Sequence, residues 1–219
     1  IVGLSPLFKY LEDHKIPHYI FVNKLDKAGG SVRQLAESLS KVSQIPVILR
    51  HLPIRNSDEV TGYVDLASER AYVYKKHAAS EIVELPTEVE GEVAEARYAM
   101  LETMADFDDK LMEELLEDIV PPKEEINKDL TDDFQQGLVA PVLIGSALNG
   151  NGVHRLLKAL RHEAPSLAAV QERLGVKKEG EPLAQVFKTY YAPHLGKISI
   201  ARILRGEIKE GGTLNGERP

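Results

Sequence analysis

Two short apolar runs, each followed directly by a polar loop, stand out in the hydrophobic pattern of this chain. The runs cover residues 18–22 and 140–144, and each has the length and composition of a buried strand. Ligands of open α/β sheets bind outside the carboxyl ends of the strands, so the loops mark a predicted binding site. The two loops read Asn23-Lys24-Leu25-Asp26 and Gly145-Ser146-Ala147-Leu148.

Apolar residues elsewhere recur at helical spacing, and several polar residues are placed to cap the predicted helices. Ser5, followed by Pro6, has the pattern of an N-cap. Ser31 with Gln34 matches a capping box, and Asp108 is also placed to cap a helix. The apolar faces of three predicted helices comprise Val89, Val93, Met100 and Met104; Ile126, Leu130 and Phe134; and Val153, Leu156, Leu157 and Leu160.

The composition of the sequence changes at residue 46. Residues 46–55 and 61–74 are rich in Val, Ile, Leu and Tyr, which favours antiparallel strands. Together with the helices that follow, they predict an α+β insertion at 46–138 between two strands of a nucleotide-binding sheet. The predicted fold class is therefore α/β, with a first domain at 1–174 that contains this inserted subdomain.

The last part of the chain changes pattern again. A polar stretch at 175–182, rich in Gly, Pro, Lys and Glu, predicts a linker. Residues 183–189 and 197–205 have the composition of strands, with side-chain alternation along the second. We expect residues 175–219 to hold the linker and the start of a β-barrel domain.

The first polar loop has the side chains that guanine recognition requires. The Asp26 carboxylate offers two acceptors to the two adjacent N–H donors of guanine, an edge that adenine lacks. Lys24 can lay its stem over the base, and Asn23 can reach the base or tie its loop to another. A backbone N–H at Ala147 could donate to the guanine carbonyl oxygen. The alternative for these residues is a solvated turn at the end of a strand.

Composition narrows the class of protein. The 219 residues include no cysteine, which excludes disulfides, thiolate metal sites and a cysteine nucleophile, and fits a reducing cytosol. No apolar stretch reaches the length of a membrane span, and we expect neither membrane insertion nor secretion. The seven histidines are scattered without an H-E-x-x-H pattern, so no metal site is predicted.

Charge is distributed unevenly along the chain. The net charge is −7, yet residues 81–133 alone hold 19 acidic and 4 basic side chains. The remainder is therefore net positive. This acidic block predicts either an exposed helical surface or an electrostatic docking face for a partner.

The sequence motif with which GTPases bind phosphate is absent from this chain. The P-loop sequence G-x-x-x-x-G-K-[ST] supplies a phosphate cradle and a Mg²⁺ ligand, and the chain lacks it. We therefore predict no catalytic residue here and no GTP hydrolysis by this chain alone. Because the chain starts with Ile1 and stops before a barrel could close, we expect it to be a fragment.

Taken together, residues 17–167 resemble the second half of the G domain of bacterial elongation factor G, with the inserted subdomain peculiar to that family. Residues 182–216 are similar to the opening of its β-barrel second domain. Ala192-Pro193-His194 departs from the family's usual Asp-Pro and favours an elongation factor G-like paralogue. The matching segments are residues 21–26, Leu52-Pro53-Ile54, Gly62-Tyr63-Val64-Asp65-Leu66, residues 108–113, and residues 145–148 with Gly152-Val153.

This resemblance implies a cytoplasmic translational GTPase that drives ribosomal translocation or recycling with GTP or GDP and Mg²⁺. The P-loop, switch regions and Mg²⁺ ligands would lie upstream of this chain. The ribosomal partners would be the large-subunit stalk protein, through the acidic insertion, and small-subunit ribosomal RNA, through the barrel domain; no membrane partner is expected. The implied guanine-binding residues are Asn23, Lys24, Leu25, Asp26, Ser146, Ala147 and Leu148.

Two alternatives remain open at this point. The chain could belong to another ribosome-associated translational GTPase, of the ribosomal protection or release-factor recycling type, although the long insertion argues against this. It could also be a non-catalytic ribosome-binding or nucleotide-binding module, if the full protein has no P-loop.

Overall fold

The computed structural model describes residues 2–27, 29–57 and 59–212, which contain both helices and strands. The strands are β1 (Ile20–Val22), β2 (Val47–Leu49), β3 (His51–Asn56), β4 (Glu59–Asp65), β5 (Arg70–Val73), β6 (Glu81–Val83), β7 (Ala140–Ile144), β8 (Leu183–Ala192) and β9 (Gly196–Arg205). The helices are α1 (Ser5–Asp13), α2 (Val32–Ser40), α3 (Glu90–Ala105), α4 (Asp109–Leu116), α5 (Lys123–Gln136), α6 (Val153–Glu163) and α7 (Leu167–Arg173). The end of the predicted barrel segment, residues 213–219, lies outside the described residues.

The two predicted strands, β1 and β7, are neighbours in one parallel sheet. This sheet has the order β1-β7-β2, and Val22 is opposite Ile144 at the carboxyl ends of the first pair. Every residue of β7 is buried, which explains why its sequence is apolar without alternation. The sheet therefore brings the two polar loops to the same edge.

The inserted subdomain is an antiparallel sheet covered by helices. Its four strands have the order β3-β4-β5-β6, and helices α3, α4 and α5 follow them in the chain. Residues from the sheet and all three helices share one buried cluster, which includes Val64, Met104, Ile126 and Leu130. The predicted α+β character of the insertion is confirmed, and so are the helix faces centred on Met104 and Leu130.

The prediction that residues 46–55 lie entirely in the antiparallel sheet was wrong. Val47–Leu49 pairs in parallel with β7, and only the strand that begins at His51 is antiparallel. Arg50 connects the two sheets: its N–H donates to Val142 O (3.1 Å), and its C=O accepts from Leu66 N (2.9 Å). The apolar composition of residues 46–55 does not show where the chain stops pairing with one sheet and starts pairing with the other.

The predicted capping residues have different outcomes. Ser31 Oγ accepts from Gln34 N (3.4 Å), and the Asp108 carboxylate accepts from Lys110 N (2.9 Å) and Leu111 N (3.2 Å). Those two caps are confirmed. The prediction for Ser5 was wrong, because a short 3₁₀ turn at Val2–Leu4 runs directly into α1 and makes Leu4 the capping position.

The predicted apolar face of α6 was also partly wrong. Ala159 is the helix's buried residue, whereas Leu157 and Leu160 are about half exposed. Arg155 and Glu163 occupy part of the face that turns inward, as their contacts with Asp65 and Arg50 show. Hydrophobic spacing alone does not predict a helix that packs through ion pairs.

The chain divides into two compact units, Ile1–Ala164 and Pro165–Pro219. The second contains α7 and an antiparallel hairpin, in which β8 pairs with β9. Both predicted strands are thus present, and Gly212 N donates to Lys209 O in a turn (3.1 Å). The predicted division at residue 175 and the barrel that these strands would begin stay predictions. Among the described residues, no helix is both long enough and apolar enough to cross a membrane.

Candidate guanine-nucleotide site

The two polar loops are joined to each other by hydrogen bonds at the carboxyl edge of the parallel sheet. Gly145 N donates to Val22 O (3.0 Å), and Leu25 N donates to Gly145 O (3.1 Å). The Asn23 side chain adds a third link, because its Oδ1 accepts from Ala147 N (2.9 Å) as well as from Lys24 N (2.8 Å). One amide oxygen therefore fixes the backbone of both loops.

The first loop divides its residues between the core and the solvent. Leu25 is 3% exposed and packs in a cluster with Val142 and Ile144, so its side chain anchors the loop. Asn23, Lys24 and Asp26 are exposed on the other side. Lys24 has a φ of +62°, an unusual conformation for a residue with a side chain. The structure thus presents the three polar side chains that the sequence assigned to base recognition.

The second loop depends on two glycines. A Cβ at Gly145 would lie 2.2 Å from Asn151 O, and one at Gly152 would lie 2.3 Å from Ile144 O. Gly152 also has a φ of +75°, which favours glycine. Neither position has space for another side chain, so the backbone closes tightly between the end of β7 and the start of α6.

Three residues of the second loop were predicted to contact the base. Ser146 is buried, its N–H donates to Asn151 O (2.9 Å), and its Oγ has no hydrogen-bond partner among the described residues. Ala147 is exposed, and its N–H donates to Asn23 Oδ1 rather than standing free for a guanine carbonyl. Leu148 is 73% exposed. A base contact at Ala147 would therefore have to share or replace the bond to Asn23.

Sequence reasoning missed a second group of polar residues, which lies between the inserted subdomain and α6. It comprises Arg50, His51, Asp65, Arg155 and Glu163. Part of this group lines a cavity of about 630 Å³ that does not include the guanine loops. Its members lie far apart in the sequence, and no motif connects them.

The group is held together by ion pairs with short distances. Arg50 Nη1 lies 2.6 Å from Glu163 Oε2, and Tyr19 Oη donates to the same oxygen (2.6 Å). Arg155 Nη2 and Nε donate to Asp65 Oδ2 at 3.1 and 3.3 Å. Arg50 itself is 2% exposed, and its Nε has no partner among the described residues.

Electrostatics in this group follow from burial and pairing. Burial alone would raise the pKa of Asp65, but the adjacent His51 ring and the Arg50 and Arg155 guanidinium groups hold that pKa well below its usual range. Burial lowers the pKa of His51, so this ring is neutral at neutral pH. Asp65 is therefore a fixed negative charge, and the arginines balance it.

The residues of the two loops fit a guanine base. Exposed Asp26 provides two acceptor oxygens, and the adjoining loop contributes the buried Ser146 hydroxyl, which has no hydrogen-bond partner among the described residues. No group of three or more His, Cys, Asp or Glu residues that could hold a metal ion occurs in the part of the chain that the structure describes.

The fold is that of the second half of a GTPase-type G domain, interrupted by an α+β insertion and followed by strands of a second domain. No protein-family model matches the chain. Over its whole length the chain is 42% identical to an elongation factor G-like protein from Synechocystis sp. (strain ATCC 27184 / PCC 6803 / Kazusa), of which it covers 33%. A crystal structure of a protein from Thermus thermophilus matches 96% of this chain and 31% of its own, with a TM-score of 0.78 and 30% identity.

These matches confirm the resemblance predicted from the sequence. In sequence and fold the chain is similar to a segment of the elongation factor G family. It spans about a third of the length of the relative it matches.

Proposed function

We propose that this chain is the base-recognition segment of a translational GTPase of the elongation factor G type, which binds guanine nucleotide and drives translocation or recycling on the ribosome. The bond from Ala147 N to Asn23 Oδ1 (2.9 Å) carries the proposal, because it joins the two predicted guanine loops into one site. The similarity of the whole chain to a third of an elongation factor G-like protein supports the same function.

In this proposal each polar side chain of the first loop has a separate role. Asp26 accepts both N–H groups of the guanine edge, so an adenine there would leave its carboxylate without donors. Lys24 covers the face of the base with its methylene stem. Asn23 holds the second loop in position, with Leu25 as the buried anchor. GTP supplies the phosphoanhydride that is hydrolysed, and phosphate and Mg²⁺ are held by residues outside this chain.

The inserted subdomain is proposed to meet the stalk protein of the large ribosomal subunit. Its helices α3 and α4 expose apolar side chains among many acidic ones, and a cavity of about 260 Å³ lies between them. An apolar patch with an acidic rim fits a partner that carries basic residues around an apolar surface. The exposed apolar residues are Tyr98 on α3, Met112 and Leu116 on α4, and Ile119 and Val120 in the segment that follows α4.

The β8–β9 hairpin is proposed to meet small-subunit ribosomal RNA. Its strands carry Lys188, Lys197, Arg202 and Arg205 and no acidic residue. Positive charge without compensating carboxylates favours contact with phosphates. A protein that acts on the ribosome in this way works in the cytoplasm. The 219-residue chain alone is proposed to be inactive, because it has no P-loop.

Exchange of one side chain tests the base-reading role directly. In the intact protein, the full product of the gene that encodes this chain, Asp26→Asn replaces two acceptors by one acceptor and one donor. Xanthine carries an oxygen where guanine carries its amino group, so the variant is expected to prefer xanthine nucleotide by about 100-fold relative to wild type. Titration with fluorescent guanine and xanthine diphosphates measures this preference.

Asp109→Asn provides the matched control, because Asp109 is an exposed carboxylate on the first turn of α4. This variant is expected to keep the guanine preference of the wild type. If Asp26→Asn binds the two nucleotides as the wild type does, or if the wild type binds neither, the loop is a solvated strand-end turn and the proposed function is wrong.

A further inference from the structure

The inserted subdomain is bonded directly to the second guanine loop, residues 145–152. His77, in the segment between β5 and β6, donates its N–H to Asn149 O (3.0 Å). Gly150 is so close to the same segment that a Cβ there would lie 3.3 Å from His77 Cα. The loop that contributes Ala147 is therefore supported from one side by residues of the insertion.

A second contact holds the helix on which this loop ends. Helix α6 starts at Val153, directly after the loop, and Arg155 lies in its first turn. Arg155 donates twice to Asp65 Oδ2, and Asp65 is the last residue of β4 in the insertion. The exposed fractions of the two side chains are only 14% and 5%, so water competes little for this pair.

The Asp65 carboxylate is held in position by backbone N–H groups that directly follow its own strand, β4. Its Oδ1 accepts from Ala67 N (3.1 Å) and Ser68 N (3.2 Å), which leaves Oδ2 to hold Arg155. A carboxylate with both oxygens occupied has little freedom to turn. The position of β4 thus determines where the first turn of α6, and the loop before it, can lie.

We propose that Asp65 and Arg155 are positioning residues for the second guanine loop and that the His77–Asn149 contact has the same role. Through these contacts the inserted subdomain sets the affinity for guanine nucleotide. The proposal rests on the proposed function and adds to it a regulatory route. A partner that shifts the insertion would change nucleotide affinity, and bound nucleotide would change the affinity for that partner by the same factor.

The ion pair is tested in the intact protein by replacing each partner and both. Arg155→Gln is expected to weaken binding of fluorescent GDP by about tenfold. Arg155→Lys keeps the charge but loses the planar fork, so it should recover part of the affinity. The double variant Asp65→Asn/Arg155→Gln should be no weaker than the single ones, because residues that act through one contact are not additive.

The measurement must separate positioning from general stability. The dissociation constant for GDP is measured well below the melting temperature, where the variants are folded. The kcat of GTP hydrolysis is measured on ribosomes at saturating GTP. A positioning role raises the dissociation constant and leaves kcat within about twofold. A purely structural role lowers the melting temperature alone. Folded variants that bind GDP as tightly as the wild type would overturn the proposal.

A pair of glycine variants tests the His77–Asn149 contact without touching the ion pair. Gly150→Ala and Gly196→Ala place a Cβ at nearly the same backbone angle, φ +75° and +74°, but only Gly150 faces His77. GDP is expected to dissociate several-fold faster from Gly150→Ala and at the wild-type rate from Gly196→Ala. Equal rates for the two variants would overturn the role of the His77 contact. A wild-type protein that does not prefer GDP over ADP would overturn the proposed function itself.

Discussion

The inserted subdomain places its charges differently on its two sides. On the sheet side two side chains of the insertion, Asp65 and Arg50, are buried, and they pair with Arg155 (3.1 Å) and Glu163 (2.6 Å) of α6. On the helical side, along α3, α4 and α5, acidic groups outnumber basic ones and most of them face the solvent. Of the twelve acidic residues on these helices, five form ion pairs within the described part of the chain, among them Glu114 and Glu125 around Lys110.

The difference shows what each side is suited to. A buried charge without a partner destabilises the folded state strongly, so the charges on the sheet side must all be paired. The same ion pairs hold the insertion to α6. An exposed carboxylate costs little and contributes little to stability. The helical side can therefore keep a surplus of negative charge for a partner without weakening the fold.

The largest effect is expected from breaking the sheet side. Glu163→Ala leaves Arg50, which is almost fully buried, without its carboxylate, and it also removes the acceptor of Tyr19 Oη. We expect the free energy of unfolding to fall by about 3–5 kcal/mol, as measured by urea denaturation. Glu113→Ala, on the exposed face of α4, is the control and should change it by less than about 0.5 kcal/mol. Similar losses in both variants would contradict the contrast between the two sides.

An intermediate effect is expected at Asp133, the buried carboxylate of the helical side. Burial, with Asp129 and Asp108 nearby, raises its pKa to about 6 from 3.8. Its protonation therefore stabilises the folded state below about pH 4, and this contribution is lost as pH rises through 6. At pH 7 we expect Asp133→Asn to be more stable than the wild type by about 1–2 kcal/mol, because the variant buries no charge.

Thermal unfolding at pH 7 and pH 4 checks the Asp133 prediction. The gap in melting temperature between Asp133→Asn and the wild type should close as pH falls. Glu113→Gln, which removes an exposed charge, should show no such trend. A gap that stays constant with pH would show that the change in stability does not arise from titration of Asp133.

The smallest effect is expected at the cap of α4, where one acidic residue of the helical side has a structural role. Asp108→Ala removes the acceptor for Lys110 N and Leu111 N, so we expect a loss of about 1 kcal/mol in urea denaturation. Asp108→Asn keeps an acceptor and removes the charge, and it should cost almost nothing. Equal losses in the two variants would mean that the charge, not the cap, matters there.

Local patterns in the sequence predicted much of the fold. The strand-and-loop units around Asn23 and Ala147, the caps at Ser31 and Asp108 and the two strands β8 and β9 all depend on neighbouring residues. Their signals are composition, spacing and turn residues, which a single sequence contains. The two loops that make up the candidate site were predicted for the same reason.

The features that were missed depend on contacts between distant residues. Arg50 and Glu163 are separated by 113 positions, and Asp65 and Arg155 by 90, so no local pattern in the sequence predicts either ion pair. The exposure of Leu157 and Leu160 follows from the arginine and glutamate on the same helix, whose partners lie elsewhere. The bond between Asn23 Oδ1 and Ala147 N also needed the register of β1 against β7, which only the structure provides.

The strand order β1-β7-β2 also determines when this sheet can form during synthesis. Of these three strands, β1 and β2 leave the ribosome before β7, and both pair with β7 and not with each other. Until residues 140–144 have emerged, both strands lack their partner, while the inserted subdomain between β2 and β7 has nearly all of its sequence available. The insertion is therefore expected to fold first, and β7 then closes the sheet through contacts of high sequence separation, which form slowly. Nascent chains of intermediate length expose two apolar strand edges, which makes them substrates for chaperones.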